Sequence, residues 1–242
     1  MEDCFIEFWR KMDFSSAPYK HPSDCINGKY IESKSVNNDT FLRNQNIISR
    51  NKFHLNLIPQ PYMGDIKNAE IFILMKNPGL SIGDYYAEES CPAFRSALID
   101  TVYQRSENHV FLDTRWMWTS GFMWWEKKLR SVTKIVAKEK FSCDYKKSLN
   151  YLSKCVASIE LYPYHSFETP SLRRLYSKEM AIRFVKSLPS DKIIIVPRSV
   201  SEWNLPDSEN IIKYSTSHAR SASLSDLTVG GKEILKKLKI CR

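Results

Sequence analysis

Four short apolar runs constrain this chain more than any other feature: "EIFILM" at 70–75, "CVASIEL" at 155–161, "KIIIVP" at 192–197 and "NIIKYS" at 210–215. None alternates apolar with polar and each is bounded by Pro, Gly or charge, so each reads as a strand buried on both faces, the mark of a parallel sheet. Helical patterns lie between them. "CPAFRSALIDTVYQR" (91–105) places Phe94, Ala97, Leu98 and Val102 on one side, and "SLRRLYSKEMAIRFVKSL" (171–188) follows Pro170 with Leu172, Leu175, Met180, Phe184 and Val185 apolar. The order predicts an α/β fold, a three-layer αβα arrangement around a central, mostly parallel four-stranded sheet, with ligands at the carboxyl ends of the strands.

A length of 242 residues fits one domain spanning 1–242, with the polar, irregular stretch 1–55 as an N-terminal wrap of helix and loops. With 43% apolar residues and only seven Gly, the composition excludes disordered, collagenous and repeat classes. "MEDCFIEFWRKMDF" mixes acids and bases into its apolar run, so it is no signal peptide, and no run of 18 apolar residues occurs. A soluble, cytoplasmic monomer is expected. The six Cys contain no CxxC pair, which argues against zinc or an iron-sulfur cluster and for reduced, structural thiols. No metal or cofactor is expected.

A net charge of +9 points toward a polyanionic partner held through phosphate contacts. Positive residues concentrate in 127–147, at Arg173 and Arg174, and in the tail "GGKEILKKLKICR"; each run also reads as a solvated helix face. The segment 116–125 holds four Trp in ten residues. It reads either as a hydrophobic helix packed on the sheet or as an aromatic wall that stacks bases or sugar rings.

The residues just after each strand project into the shared crevice. They are Lys76-Asn77-Pro78-Gly79, then Glu160 with Tyr162, Tyr164, His165 and Ser166, then Arg198, then Ser215-Thr216-Ser217-His218-Ala219-Arg220. A carboxylate, an amide, two His, two Arg and several hydroxyls on one rim suit a site that polarises a leaving group and places a water.

In these residues the chain resembles the uracil-DNA glycosylase superfamily. "LMKNPGL" looks like the Asn-Pro-Gly form of that family's first motif, and "TSHARSASLS" like a divergent His-Pro-Ser-Pro motif with Ala219 in place of Pro. The resemblance covers roughly residues 58–240. "HPSD" at 21–24 matches the second motif more closely in letters, but it precedes the first motif and follows no strand, so it reads as a coincidence. Three letters are also compatible with a plain strand-to-helix turn carrying Pro at the first helical position.

The resemblance implies a monofunctional DNA glycosylase that flips a base and leaves an abasic site. Asn77 would position the water that attacks C1′, and His218 would stabilise the charge on the departing base. Base-binding residues would be Gly79, Glu160, Tyr85, Tyr86 and His165; Lys76, Arg198, Ser217, Arg220 and Ser221 would hold DNA. Glu160 stands where uracil-reading members commonly carry Asn. A carboxylate accepts from the exocyclic amine of cytosine and repels the O4 of uracil or thymine. Gly79 stands where the classical enzymes carry a bulky aromatic that blocks C5. Together they suggest a C5-modified cytosine, and the pattern resembles an anti-phage branch that excises glucosylated hydroxymethylcytosine, with the Trp-rich segment stacking on the hexose.

Other roles stay open at this point. Glu160 also suits a general base or a partner for His165, Asp84 is a second candidate for activating water, and Lys76 permits an amine attack with lyase activity. The alternatives to a modified-cytosine enzyme are a uracil or mismatch repair glycosylase and a non-catalytic nucleic-acid-binding module on the same fold. A metal-dependent nuclease would need clustered acids and His at the strand ends, where only Glu160 and His165 are close in sequence.

Overall fold

The structure, a computed structural model, describes residues 2–32, 37–43, 50–170, 174–215 and 221–240. It is a mixed α/β fold with a five-stranded, mostly parallel sheet in the order β1-β3-β2-β4-β5. The strands are β1 (Tyr62–Met63), β2 (Ile71–Met75), β3 (Val156–Glu160), β4 (Ile193–Val196) and β5 (Ile211–Lys213). Each expected run forms its strand. The fifth, β1, was not anticipated, because two residues between Pro61 and Gly64 carry no periodicity to read.

Strands β2, β4 and β5 are parallel, with Ile71 opposite Ile193 and Ile194 opposite Ile211. All five residues of β2 and all five of β3 are buried. The apolar runs of β2 and β3 therefore mean cover on both faces; the run of β5 does not, because that strand lies at the sheet edge and its three residues are half-buried.

The chain clusters into two compact units, each assembled from separated stretches. The first comprises Met1–Tyr62, Lys76–Arg105 and Glu160–Ser187; the second comprises Met63–Met75, Ser106–Ile159 and Leu188–Arg242.

In the first unit, helix α1 (Glu2–Arg10) packs against α4 (Pro92–Val102) and α7 (Tyr176–Lys186). Phe5 stacks on Phe184 at 5.0 Å and meets the edge of Tyr62 at 5.4 Å. Helix α2 (Asn38–Arg43) packs on α3 (Ile82–Ser90). The expected helix at 171–188 starts only at Tyr176; residues 171–173 lie outside the described residues.

The second unit holds α5 (Ser120–Lys140), α6 (Tyr145–Cys155), the short α8 (Val200–Trp203) and α9 (Val229–Lys237). Helix α5 is capped by Thr119, whose hydroxyl accepts from the Phe122 N–H. It buries Phe122, Trp125, Leu129, Val132 and Val136, a three-and-four spacing that makes one apolar stripe. Each such side chain contributes roughly 2 kcal/mol of transfer free energy. Ser142 and Cys143 take left-handed backbone angles, turning the chain into Asp144, which caps α6 by accepting from the Lys147 N–H.

The "HPSD" stretch has a structural role. His21 and Asp24 are fully buried in the first unit. The His21 Nε2–H donates to the Phe8 carbonyl at 2.8 Å while its Nδ1 accepts from the Ser23 N–H at 3.1 Å, which sets a neutral tautomer. Asp24 accepts from the Tyr164 hydroxyl at 2.5 Å and from the Ser177 N–H at 2.9 Å. The wrap is thus tied to α7 and to the segment after β3 by a buried carboxylate. Asp24→Ala leaves two buried donors without an acceptor and should cost about 2–4 kcal/mol in urea unfolding; a loss below about 1 kcal/mol would remove the network from the fold's main supports.

Candidate active site

The site is built on the loop that leaves β2. Its backbone is held at once, because the Lys76 carbonyl accepts from the Tyr162 N–H at 2.8 Å. Pro78 fixes φ, and Gly79 follows with φ +76°, a left-handed angle that other residues adopt only at a cost. Helix α3 begins four residues after Pro78, at Ile82, so the proline is part of a six-residue loop (76–81) and not the first residue of a helix. Asp84 anchors the loop's far end by accepting from the Ser81 N–H at 2.7 Å and the Ser81 hydroxyl at 2.8 Å.

Three contacts join this loop to the segment after β3. The Asn77 amide nitrogen donates to the Ser166 carbonyl at 2.9 Å and to its hydroxyl at 3.2 Å. His165 Nδ1 lies 3.0 Å from the Gly79 carbonyl. A carbonyl can only accept, so Nδ1 carries the proton. The Asp84 carboxylate lies 3.9 Å from the same nitrogen. Behind them, the His54 N–H donates to the His165 carbonyl at 2.9 Å, and His54 Nδ1 is 2.9 Å from the Tyr85 hydroxyl.

Burial sets the charge state. It lowers the His54 pKa to about 4, with smaller opposing and reinforcing effects from Glu32 and His165. Burial also lowers His165, although Asp84 and the carbonyls of Gly79 and Ile58 pull in the other direction. Both imidazoles are therefore neutral at pH 7. Glu88 on α3 is pushed well above the usual carboxylate range by burial, against the Ile58 N–H that it accepts at 2.9 Å.

The arrangement gathers Asn77, Gly79 and His165, with Lys76 half-buried on the same loop. Glu160 ends β3, the neighbour of β2 in the sheet; it is 8% exposed and its N–H donates to the Pro61 carbonyl at 2.9 Å. Tyr85 is 1% exposed, its ring packed inward at the His54 edge, so it offers no face for a base; Tyr86, on the other side of α3, is 53% exposed. Asp84 is engaged in capping Ser81. In the second unit, Arg198 is half-buried two residues past β4, and the Ser221 carbonyl accepts from the Lys128 ammonium. Ser217, His218 and Arg220 lie outside the described residues.

Two residues were missed as site members. Ser166, which orients Asn77, sits beside His165 in the sequence and was visible only as a hydroxyl on the rim. His54 had no signal, since it lies in the irregular stretch before β1 and meets Tyr85 across 31 residues. Among the described residues no group of three or more His, Cys, Asp or Glu is arranged to hold a metal. No helix among them is long and apolar enough to cross a membrane. The second unit also has a groove of about 340 Å³ bordered by Asn108, Leu112, Asp113, Arg115, Lys146 and Asn150, which contains none of the candidate site residues.

Compared with known protein families, with curated proteins and with solved structures, the chain matches none.

A buried neutral His gives a signed pH dependence. Unfolded His54 takes up a proton near pH 6.5 and folded His54 only near 4, so the unfolded chain binds more protons in that window. The stability that His54 contributes is complete above about pH 6.5 and is lost as pH falls toward 4, by up to about 1.4 kcal/mol per pH unit. Glu88 acts with the opposite sign. In urea titrations, His54→Gln should flatten the fall of stability between pH 6.5 and 4; an unchanged slope would mean that His54 is protonated in the folded state.

Proposed function

We propose that the chain is a DNA glycosylase that hydrolyses the N-glycosidic bond of a flipped, C5-modified cytosine, with glucosylated hydroxymethylcytosine of phage DNA as its substrate. The observation that carries this reading is the orientation of Asn77. Its amide N–H groups are held by Ser166, so the end it presents is the carbonyl oxygen, an acceptor. An acceptor on a loop beyond a buried parallel strand is what is needed to orient a water by one of its O–H bonds.

Asn77 takes no proton at neutral pH, so it acts by orientation, and the barrier is lowered by stabilising the departing base. Water oxygen bonds to C1′ as the C1′–N1 bond breaks, the bonding pair leaves with the base, and the proton shed by the water passes through solvent to that base, so the products are the C1′ hydroxyl and the neutral base. By resemblance, His218 stabilises the charge on the departing base. Glu160 accepts from the N4 amine of cytosine. At Gly79 a Cβ would meet no heavy atom within 4 Å, so the space where a larger side chain would sit stays open for a C5 substituent. His165 holds the Gly79 carbonyl and with it the turn. The reading takes the sheet and its helices as a three-layer, uracil-DNA glycosylase-like arrangement in the cytoplasm, with antiviral defence as the setting.

The test is incubation of the purified protein with oligonucleotides carrying uracil, cytosine, hydroxymethylcytosine or its glucosylated form, followed by alkali to cut abasic sites. Cleavage confined to the glucosylated strand is expected, reduced about 10²- to 10³-fold by Asn77→Ala. Cleavage of the uracil strand alone would keep a glycosylase and overturn the roles of Glu160 and Gly79. DNA binding without cleavage of any strand would make the chain a binding module.

A further inference from the structure

The Trp-rich segment divides in the structure. Trp116 and Trp125 are core residues, 7% and 5% exposed, whereas Trp118 is 43% exposed between Met117 and the start of α5, and Met123 is 56% exposed. Trp124 is half-buried; its ring meets Trp125 edge-on at 5.0 Å and carries the Lys128 ammonium 5.2 Å from its centroid. The apolar stripe of α5 is turned inward, and the opposite stripe, at the same three-and-four spacing, runs Met123, Lys127, Arg130, Lys134 and Lys138, all exposed. Fifteen residues of helix extend this stripe over about 22 Å.

Cations are crowded at its start. Burial lowers the Lys128 pKa, and the charges of Arg198 and Lys127 lower it further. The Lys128 ammonium donates to a neutral acceptor, the Ser221 carbonyl. A polyanion laid here relieves that repulsion. Trp124, half-buried and in contact with Lys128, and Trp118, exposed just before α5, supply sequence-tolerant stacking faces.

We propose that this side of the second unit, from Trp118 through Trp124 to Lys127, Lys128 and Arg198, binds single-stranded DNA, bases stacking on the two indoles and phosphates pairing with the cations. The inference rests on the DNA partner of the proposed function but on no step of its chemistry. A duplex keeps its base faces stacked and so gains only the cationic contacts. An anionic membrane is a poorer fit, because an interfacial helix inserts its apolar stripe and here that stripe is buried within the unit.

The test is fluorescence anisotropy of the full chain with a 20-nucleotide oligothymidine, a hairpin duplex of equal charge, and vesicles of anionic lipid. The single strand should bind tightest. Trp118→Ala should weaken it about tenfold. Trp124→Ala should do the same, and Trp124→Phe should restore part of the loss while keeping the packing; the melting temperature checks that each variant is folded. The double change Lys127→Gln with Lys128→Gln should reduce the slope of log affinity against log salt by about 1.4, two phosphate contacts at about 0.7 each. Lys186→Gln, an exposed lysine of the first unit, should change affinity less than about twofold. Equal binding of strand and duplex with Trp118→Ala unaffected would overturn the proposal, as would Trp-dependent binding to vesicles in preference to the strand. Asn77→Ala should bind the oligothymidine like the wild type. Loss of excision with this binding intact counts against the glycosylase chemistry alone, and excision with Trp-independent binding counts against this surface alone.

Discussion

A strand buried on both faces has little room along its length for a charged side chain. Strand β2 shows the constraint: Ile71 to Met75 are buried without exception, and the first polar groups available are Lys76 and Asn77, one step past its end. Strand β3 keeps one small hydroxyl, Ser158, which is satisfied by His109 at 3.3 Å, and holds its only charge at its last residue, Glu160. With β2 and β3 adjacent, their ends are neighbours, and the Tyr162 N–H to Lys76 carbonyl bond fixes that relation. Everything assigned to Asn77, Gly79, Ser166 and His165 depends on it.

The loop is held by mutual support rather than by one strong interaction. Asn77 holds Ser166, His165 holds Gly79, and Asp84 holds Ser81 while lying near His165. Each hydrogen bond contributes on the order of 1 kcal/mol. Joined, they leave the six-residue loop few alternative shapes, which is what orientation of a small molecule such as water demands.

How much of this was legible follows from what kind of signal each feature leaves. Strands β2 and β3 were readable because burial on two faces writes an uninterrupted apolar run; β4 and β5 were readable from their isoleucine runs, although β5, at the sheet edge, is only half-buried. The two-residue β1 writes none. Asn77 was readable from its place behind a strand, but Ser166 and His54 act across 89 and 31 residues, and contacts at such separations leave no local pattern. Tyr85, expected to bind the base, is instead buried in the first unit. Once α3 is known to start at Ile82, helical spacing puts Tyr85 and Glu88 on the inward side and Tyr86 outside. The Trp-rich segment resisted both simple readings for a related reason: half its indoles serve the core and half do not. "HPSD" shows the converse, since a stretch set aside as coincidence proves to be a buried structural lock.

That lock has a consequence for synthesis. Asp24 leaves the ribosome before its partners Tyr164 and Ser177, which follow 140 and 153 residues later. At roughly 5–20 residues per second, the buried carboxylate's oxygens stay unmatched for about 7–30 s, while β2 and β3 are made. During that interval the amphipathic α1, with Phe5, Phe8 and Trp9, lacks the α7 surface that covers it. The first unit therefore cannot close around Asp24 until α7 has been made, however early α1, α4 and His21 meet.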